Sequence, residues 1–137
     1  MTNNTEIFHI IDTTRAMRRL KPDPVPDNLI KKILQAGFSA PNGGNAQKWK
    51  FMVIKDMEIK KQIQVLYKRA FDEVVSPGYA ISPTPPGATR DSYNRQNTAV
   101  EYLTEHYHEA PVWIIPCIEH GDSKVDRTAG ASIYPAV

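Results

Sequence analysis

Ser39-Ala40-Pro41-Asn42-Gly43-Gly44-Asn45-Ala46-Gln47-Lys48-Trp49 runs from a helical pattern straight into a strand pattern, and the rest of the chain is read outward from it. A helix-to-strand link needs only a few residues. This one gathers proline, two adjacent glycines, two asparagines and a glutamine. Paired glycines let backbone pass close to a planar or phosphorylated ligand. The amides of Asn42, Asn45 and Gln47 donate and accept at once, which suits the edge of a heterocycle. A helix cap followed by a turn accounts for the same residues equally well, since Gly and Asn are ordinary at both.

Before this stretch, Leu29, Ile30, Ile33, Leu34 and Phe38 recur at helical spacing after Asp27, whose carboxylate favours a helix N-terminus. Lys21-Pro22-Asp23-Pro24-Val25-Pro26 cannot be helical in its interior and reads as a stiff extended connector. Ile7, Ile10, Ile11 and Thr14 predict a first helix that ends near Arg15 to Leu20. After the stretch, Trp49 to Ile54 reads as a strand, apolar apart from Lys50, as expected with both faces covered. Asp56 caps a third helix whose stripe is Ile59, Ile63, Leu66, Tyr67, Ala70 and Phe71, with the lysines off it. Val75 to Asn97 holds four prolines and two glycines and predicts a long irregular loop. Thr98-Ala99-Val100-Glu101 has capping-box spacing and predicts the start of a fourth helix that stops before Pro111. Val112 to Ile118 reads as a second strand, with Pro116 marking an edge or a bulge. From Asp126, the small residues Ala129, Gly130, Ala131 and Ser132 predict the opening of a closely packed helix.

The chain has 137 residues, 41% of them hydrophobic and 23% charged, which suits one globular domain with a core. A net charge of +2 without a long basic run argues against nucleic acid as a partner. The basic cluster Arg15, Arg18, Arg19 and Lys21 is sized for a single anion. Cys117 is the lone cysteine, so no internal disulfide forms, and its apolar setting predicts a small buried side chain. The first residues lack signal-peptide features and no apolar run reaches membrane length, so the expected compartment is a reducing cytoplasm. His106 and His108 with Glu105 and Glu109 hint at a metal. Residues two apart on a helix do not face each other, so all four read as surface and no metal is expected. No nucleophile and base have spacing that suggests a catalytic side chain.

Arg15-Ala16-Met17-Arg18-Arg19-Leu20-Lys21-Pro22-Asp23-Pro24-Val25-Pro26 resembles the first signature of the nitroreductase family of flavoproteins. Ala40 to Trp49 resembles the second. Gly130-Ala131-Ser132-Ile133-Tyr134-Pro135-Ala136-Val137 resembles the start of its long central helix. The resemblance covers nearly the whole chain but only the N-terminal part of the family fold. It implies an α+β domain, an α/β/α sandwich with a mainly antiparallel sheet, incomplete at its C-terminus. It also implies a homodimer with FMN at the subunit interface.

On this resemblance the segment Thr14, Arg15, Ala16 and Arg18 meets FMN, with Arg15 on the phosphate and Arg18 near the pyrimidine edge. A phosphate suits a forked guanidinium, and a cation at that edge stabilises the anionic reduced ring. Pro41, Asn42, Gly43 and Asn45 are implied to wrap the flavin, some from the partner subunit, with Gln47 beside them. The family usually has Arg-Arg-Ser where Thr14-Arg15-Ala16 stands, which removes or rearranges one phosphate contact. It often has serine at the place of Asn42 and proline at that of Lys48. The implied activity moves electrons from NAD(P)H through FMN to a nitroaromatic, a quinone or a similar acceptor, with ping-pong kinetics. Reductive dehalogenation or flavin fragmentation is the alternative within the family. A non-catalytic fragment or interaction module is the alternative outside it, motivated by the stop at Val137. Apart from the resemblance, Arg18 and Arg19 read as solvated charges at a helix end and Trp49 as core.

Overall fold

Capping and charge set the helices on either side of the organising stretch. The computed structural model describes residues 5–119 and 129–137. Helix α1 is Thr5–Thr13, α2 is Asp27–Phe38 and α3 is Met57–Ala70. Asp56 Oδ1 accepts from the backbone N–H of Glu58 at 2.8 Å and of Ile59 at 3.0 Å, satisfying two donors that the first turn of α3 leaves free. Asp27 puts a carboxylate at the start of α2 and pairs with Lys55, whose hydrogen bond and charge hold that carboxyl below its usual range. Residues 14–26 form neither helix nor strand, in keeping with the proline-rich connector.

Strands β1 (Trp49–Ile54) and β2 (Trp113–Ile118) pair antiparallel, with Trp49 opposite Ile118 and Ile54 opposite Trp113. Glu119 N–H donates to Lys48 O at 2.6 Å. Bonded pairs alternate along an antiparallel ladder, so Lys50–Cys117 and Met52–Ile115 carry the bonds while Phe51–Pro116 does not. The missing N–H of Pro116 therefore falls on the outer edge of β2, where it costs no ladder bond.

Several sequence expectations change in three dimensions. Val75 to Asn97 is not one irregular loop. A π-turn, Phe71–Val75, leads into helix α4 (Ser76–Ile81), and helix α5 spans Arg90–His106. Pro77 sits in the first turn of α4, where no N–H is required. The capping box is Thr89 with Ser92: Ser92 N–H donates to Thr89 Oγ1 at 3.1 Å and Thr89 N–H to Ser92 Oγ at 3.0 Å. Thr98 to Glu101 lies inside α5, and only 82–89 is irregular.

The stripe of α3 is also rotated. Ile59 and Leu66 are exposed, whereas Lys60 is 1% exposed and Gln64 is buried. Lys60 Nζ donates to Ala110 O at 2.6 Å, and Gln64 Nε2 donates to Thr104 O and to Glu105 O. The carbonyls that end α5 have no partner within their own helix, and the polar side chains of α3 supply one. Cys117 is half-exposed, and His106 and His108 are half-buried. Met52 and Val53 of β1 are exposed, so the sheet is not covered on both faces within this chain.

Ile54, Ala110 and Trp113 form one cluster of the core, with Ile63 and Tyr107 packed against it. The Tyr107 ring lies between Trp113 and Tyr67, with centroids 4.5 and 4.6 Å away. Burial, and next the neighbouring Tyr67, raise the Tyr107 phenol above its ordinary pKa. A raised folded pKa gives stability that is complete below the unfolded value of about 10 and is lost as pH rises through the folded one. The melting temperature should therefore fall above about pH 10, and Tyr107→Phe should flatten that limb. Parallel alkaline losses in the two proteins would refute this assignment.

Helix α6 (Ala129–Ile133) and a 3-10 turn, Tyr134–Ala136, close the described chain. The start expected at Asp126 lies outside the described residues. A Cβ on Gly37 would lie 3.2 Å from Ala136 O, so the last turn seats directly against the end of α2.

Candidate functional site

The organising stretch is a loop built on left-handed backbone. Gly43–Asn45 forms a 3-10 turn, with Gly44 at φ 60°, Asn45 at φ 51° and Gln47 at φ 50°. Glycine takes this region freely and asparagine tolerates it, but a glutamine there is uncommon and marks stored strain. Asn42 stabilises the shape, because its Oδ1 accepts from Gln47 N–H at 2.9 Å. The Asn42 side-chain carbonyl oxygen thus closes the loop. Pro41, Gly43, Asn45 and Gln47 are exposed, and Asn42 is half-buried.

Ser132 of α6 joins the loop although it is 89 positions from Gly43. Gly43 N–H donates to Ser132 Oγ at 3.4 Å, and a Cβ on Gly43 would come within 3.0 Å of that oxygen. Asn42, Gly43, Lys48, Trp49, Ile118 and Ser132 surround a cavity of about 80 Å³. Trp49 is buried beneath it, as expected of a core residue. Ser132 was legible only as a small residue, since no local signal ties it to Gly43.

The other group of expected site residues lies just past α1. Thr14 directs its N–H and its Oγ1 to Ile10 O, at 2.9 and 2.6 Å. Arg15 is exposed, and its Nη1 donates to Asp12 O at 2.9 Å and Thr14 O at 2.7 Å. Ala16 O accepts from Arg18 Nη1 at 3.4 Å. Arg18 is half-buried and lines a small cavity with Leu20, Tyr102, His106 and Tyr107. Arg19 is not simply solvated, since its guanidinium carbon lies 4.0 Å from the centroid of the Tyr102 ring. The fold brings Asn42, Gly43 and Gln47 together. Arg18 lines a different cavity, and among the described residues no hydrogen bond joins the loop to residues 14–18.

The sequence pattern of the nitroreductase family matches residues 11–137. The chain belongs to the nitroreductase family. An NADH dehydrogenase of Thermus thermophilus is 38% identical over 50 residues, which is 36% of this chain and 24% of that protein. An iodotyrosine deiodinase solved with FMN and 3-iodo-L-tyrosine has a TM-score of 0.68 at 21% identity, over 95% of this chain and 64% of that one. A nitroreductase of Bacteroides fragilis solved with FMN has a TM-score of 0.63 at 21% identity, over 98% of this chain and 60% of that one. These likenesses bear out the nitroreductase-like α+β fold with its antiparallel strands. The chain spans less than two thirds of the length of each of these relatives.

Among the described residues no three His, Cys, Asp or Glu side chains cluster as a metal site, and His106 Nδ1 instead pairs with Glu109 Oε1 at 2.8 Å. Among those residues no helix is long and apolar enough to cross a membrane.

Proposed function

We propose that this chain carries the flavin-binding residues of an FMN-dependent oxidoreductase of the nitroreductase type. The observation that carries the reading is the strained loop from Asn42 to Gln47. Its left-handed residues expose Gly43, Asn45 and Gln47, and Asn42 holds them in shape. Such a loop fits the edge of a flat heterocycle rich in donors and acceptors. Arg15 fits the anionic end: its two contacts use Nη1 alone, and Nη2 and Nε keep no partner among the described residues.

Bound FMN supplies two-electron exchange between a nicotinamide donor and an electrophilic acceptor. This chain's own residues do the holding. Arg15 grips the phosphate, while the backbone of Thr14 and Ala16 frames it. Arg18 keeps a positive charge near the pyrimidine edge, where it stabilises the reduced ring. Pro41, Asn42, Gly43, Asn45 and Gln47 line the ring's rim and exclude water. The name of the Thermus relative supports NADH as donor, and a solved complex of a mycobacterial FMN-dependent nitroreductase with NADPH supports NADPH. Donor and acceptor, a nitroaromatic or quinone, use the site in turn with ping-pong kinetics, in a reducing cytoplasm.

A homodimer completes the site in this reading. Ile7, Phe8, Ile10 and Ile11 of α1 are each more than half exposed. Two groups of site residues that no hydrogen bond joins among the described residues suit a ligand shared between subunits.

Titration with FMN and with riboflavin, followed by flavin fluorescence, tests the reading. Arg15→Ala should weaken FMN about tenfold, the worth of one charge-assisted hydrogen bond, and leave riboflavin unchanged. A chain that leaves FMN free at every concentration refutes the reading and favours a non-catalytic interaction module. The deiodinase-like fold keeps reductive dehalogenation as a second activity. Turnover of halophenols in preference to nitroaromatics would select it.

A further inference from the structure

Among the described residues, every hydrogen bond from residues 14–20 ends within four positions in the sequence. Such bonds shape the segment without fixing where it sits in the fold. The side chains of Arg18 and Arg19 do reach another element, α5. Arg18 lines a cavity there, and the Arg19 guanidinium carbon lies 4.0 Å from the Tyr102 centroid. The opposite side of the Tyr102 stack is also occupied. His106 stacks on Tyr102 with centroids 4.1 Å apart and planes 18° apart, and His106 Nδ1 meets Glu109 Oε1 at 2.8 Å. The Tyr102 ring is therefore a held platform on a 17-residue helix.

We propose that Arg19 and Tyr102 form a positioning pair that presents residues 14–18 to the flavin, Arg15 toward its phosphate and Arg18 toward its pyrimidine edge. This inference rests on the flavin reading above. Arg19 touches no cofactor; it acts through the backbone of its neighbours. A guanidinium on an aromatic face is attracted by the ring's quadrupole, and the ring needs no hydroxyl for this. Without the pair the segment samples other positions, and the apparent FMN affinity falls with the fraction that remains competent.

The test measures FMN dissociation constants and backbone NMR order parameters on the full chain and four variants. Tyr102→Leu and Arg19→Met should each weaken FMN about fivefold, the scale of one such contact. The Tyr102→Leu/Arg19→Met double variant should be no weaker than either single change, because both remove the same interaction. Tyr102→Phe keeps the aromatic face and should bind FMN like the unaltered chain. Order parameters of residues 14–20 should fall in Tyr102→Leu and Arg19→Met but not in Tyr102→Phe. Additive losses, or a Tyr102→Phe as weak as Tyr102→Leu, would overturn the pairing. Unaltered affinity and order parameters in Arg19→Met would do so even where Tyr102→Leu fails to fold. If the unaltered chain binds no FMN, the flavin reading falls, and the order parameters alone decide whether the pair holds the segment.

Discussion

Trp113→Ala should destabilise the chain by about 4 kcal/mol, the usual cost of emptying a large aromatic site. Trp113 is 6% exposed and stands at the first position of β2, opposite Ile54 of β1. Its ring stacks on Tyr107, and its Nε1 donates to Tyr107 O at 3.1 Å. The substitution opens a cavity beside Ile54 and Ala110 and leaves that carbonyl unpaired. A natural domain holds about 5–15 kcal/mol in all, so this one change removes much of the margin. Trp113→Phe keeps a ring and loses the donor, so it should cost about 1–2 kcal/mol. Urea unfolding of the three proteins separates the two contributions. A Trp113→Ala loss below about 1 kcal/mol would mean that this cluster is not the centre of the core.

Gly43→Ala should weaken FMN binding ten- to a hundredfold, and adding Ser132→Gly should restore most of it. The added Cβ would lie 3.0 Å from Ser132 Oγ, tighter than most packed contacts, so the hydroxyl must swing away and lose its bond from Gly43 N–H, or the loop must shift. Such overpacking costs about 1–3 kcal/mol. The left-handed residues after Gly43 leave the loop little freedom to absorb the shift without losing its shape. Removing the hydroxymethyl group of Ser132 takes away the obstacle. Flavin fluorescence titration reads the effect, and thermal unfolding checks that all three chains fold. Equal FMN affinity in Gly43→Ala and the unaltered chain would show that the loop does not meet the cofactor through this backbone.

Much of the fold was legible because its signals are local. Asp56 caps α3 with bonds that reach only two and three residues ahead, so its role follows from its neighbours. Pro116 had to fall where a strand needs no N–H, and the register puts it on the outer edge. The helices α4 and α5 were obscured by composition. Prolines and glycines between Val75 and Asn97 suggested a loop, yet Pro77 occupies a first-turn position where proline is at ease. The capping box at Thr89 uses serine as its reciprocal partner, and the more familiar Thr-to-Glu spacing at Thr98 drew the boundary too late.

For the candidate site, residue chemistry marked Asn42, Gly43, Asn45 and Gln47 as an unusual group, and the fold keeps them on one loop. It could not assign the Asn42 carbonyl to the loop's own closure, nor bring Ser132 to Gly43, because those depend on how distant segments meet. The same limit applies to Arg19, which differs from Arg18 only in its neighbours on α5.

Order and kind of element, the extended proline connector and the family signatures were thus written in short stretches of chain, where capping, backbone restriction and periodicity act over a few residues. Which face of α3 turns inward was decided only by packing. A helix can bury Ile59 and Leu66 or Lys60 and Gln64 with equal backbone geometry, and hydrophobicity alone favours the first. In the fold the carbonyls of Thr104, Glu105 and Ala110 take donors from the second face, and a buried carbonyl without a donor costs about 1–3 kcal/mol, a demand that lies in distant residues and not in the helix's own sequence.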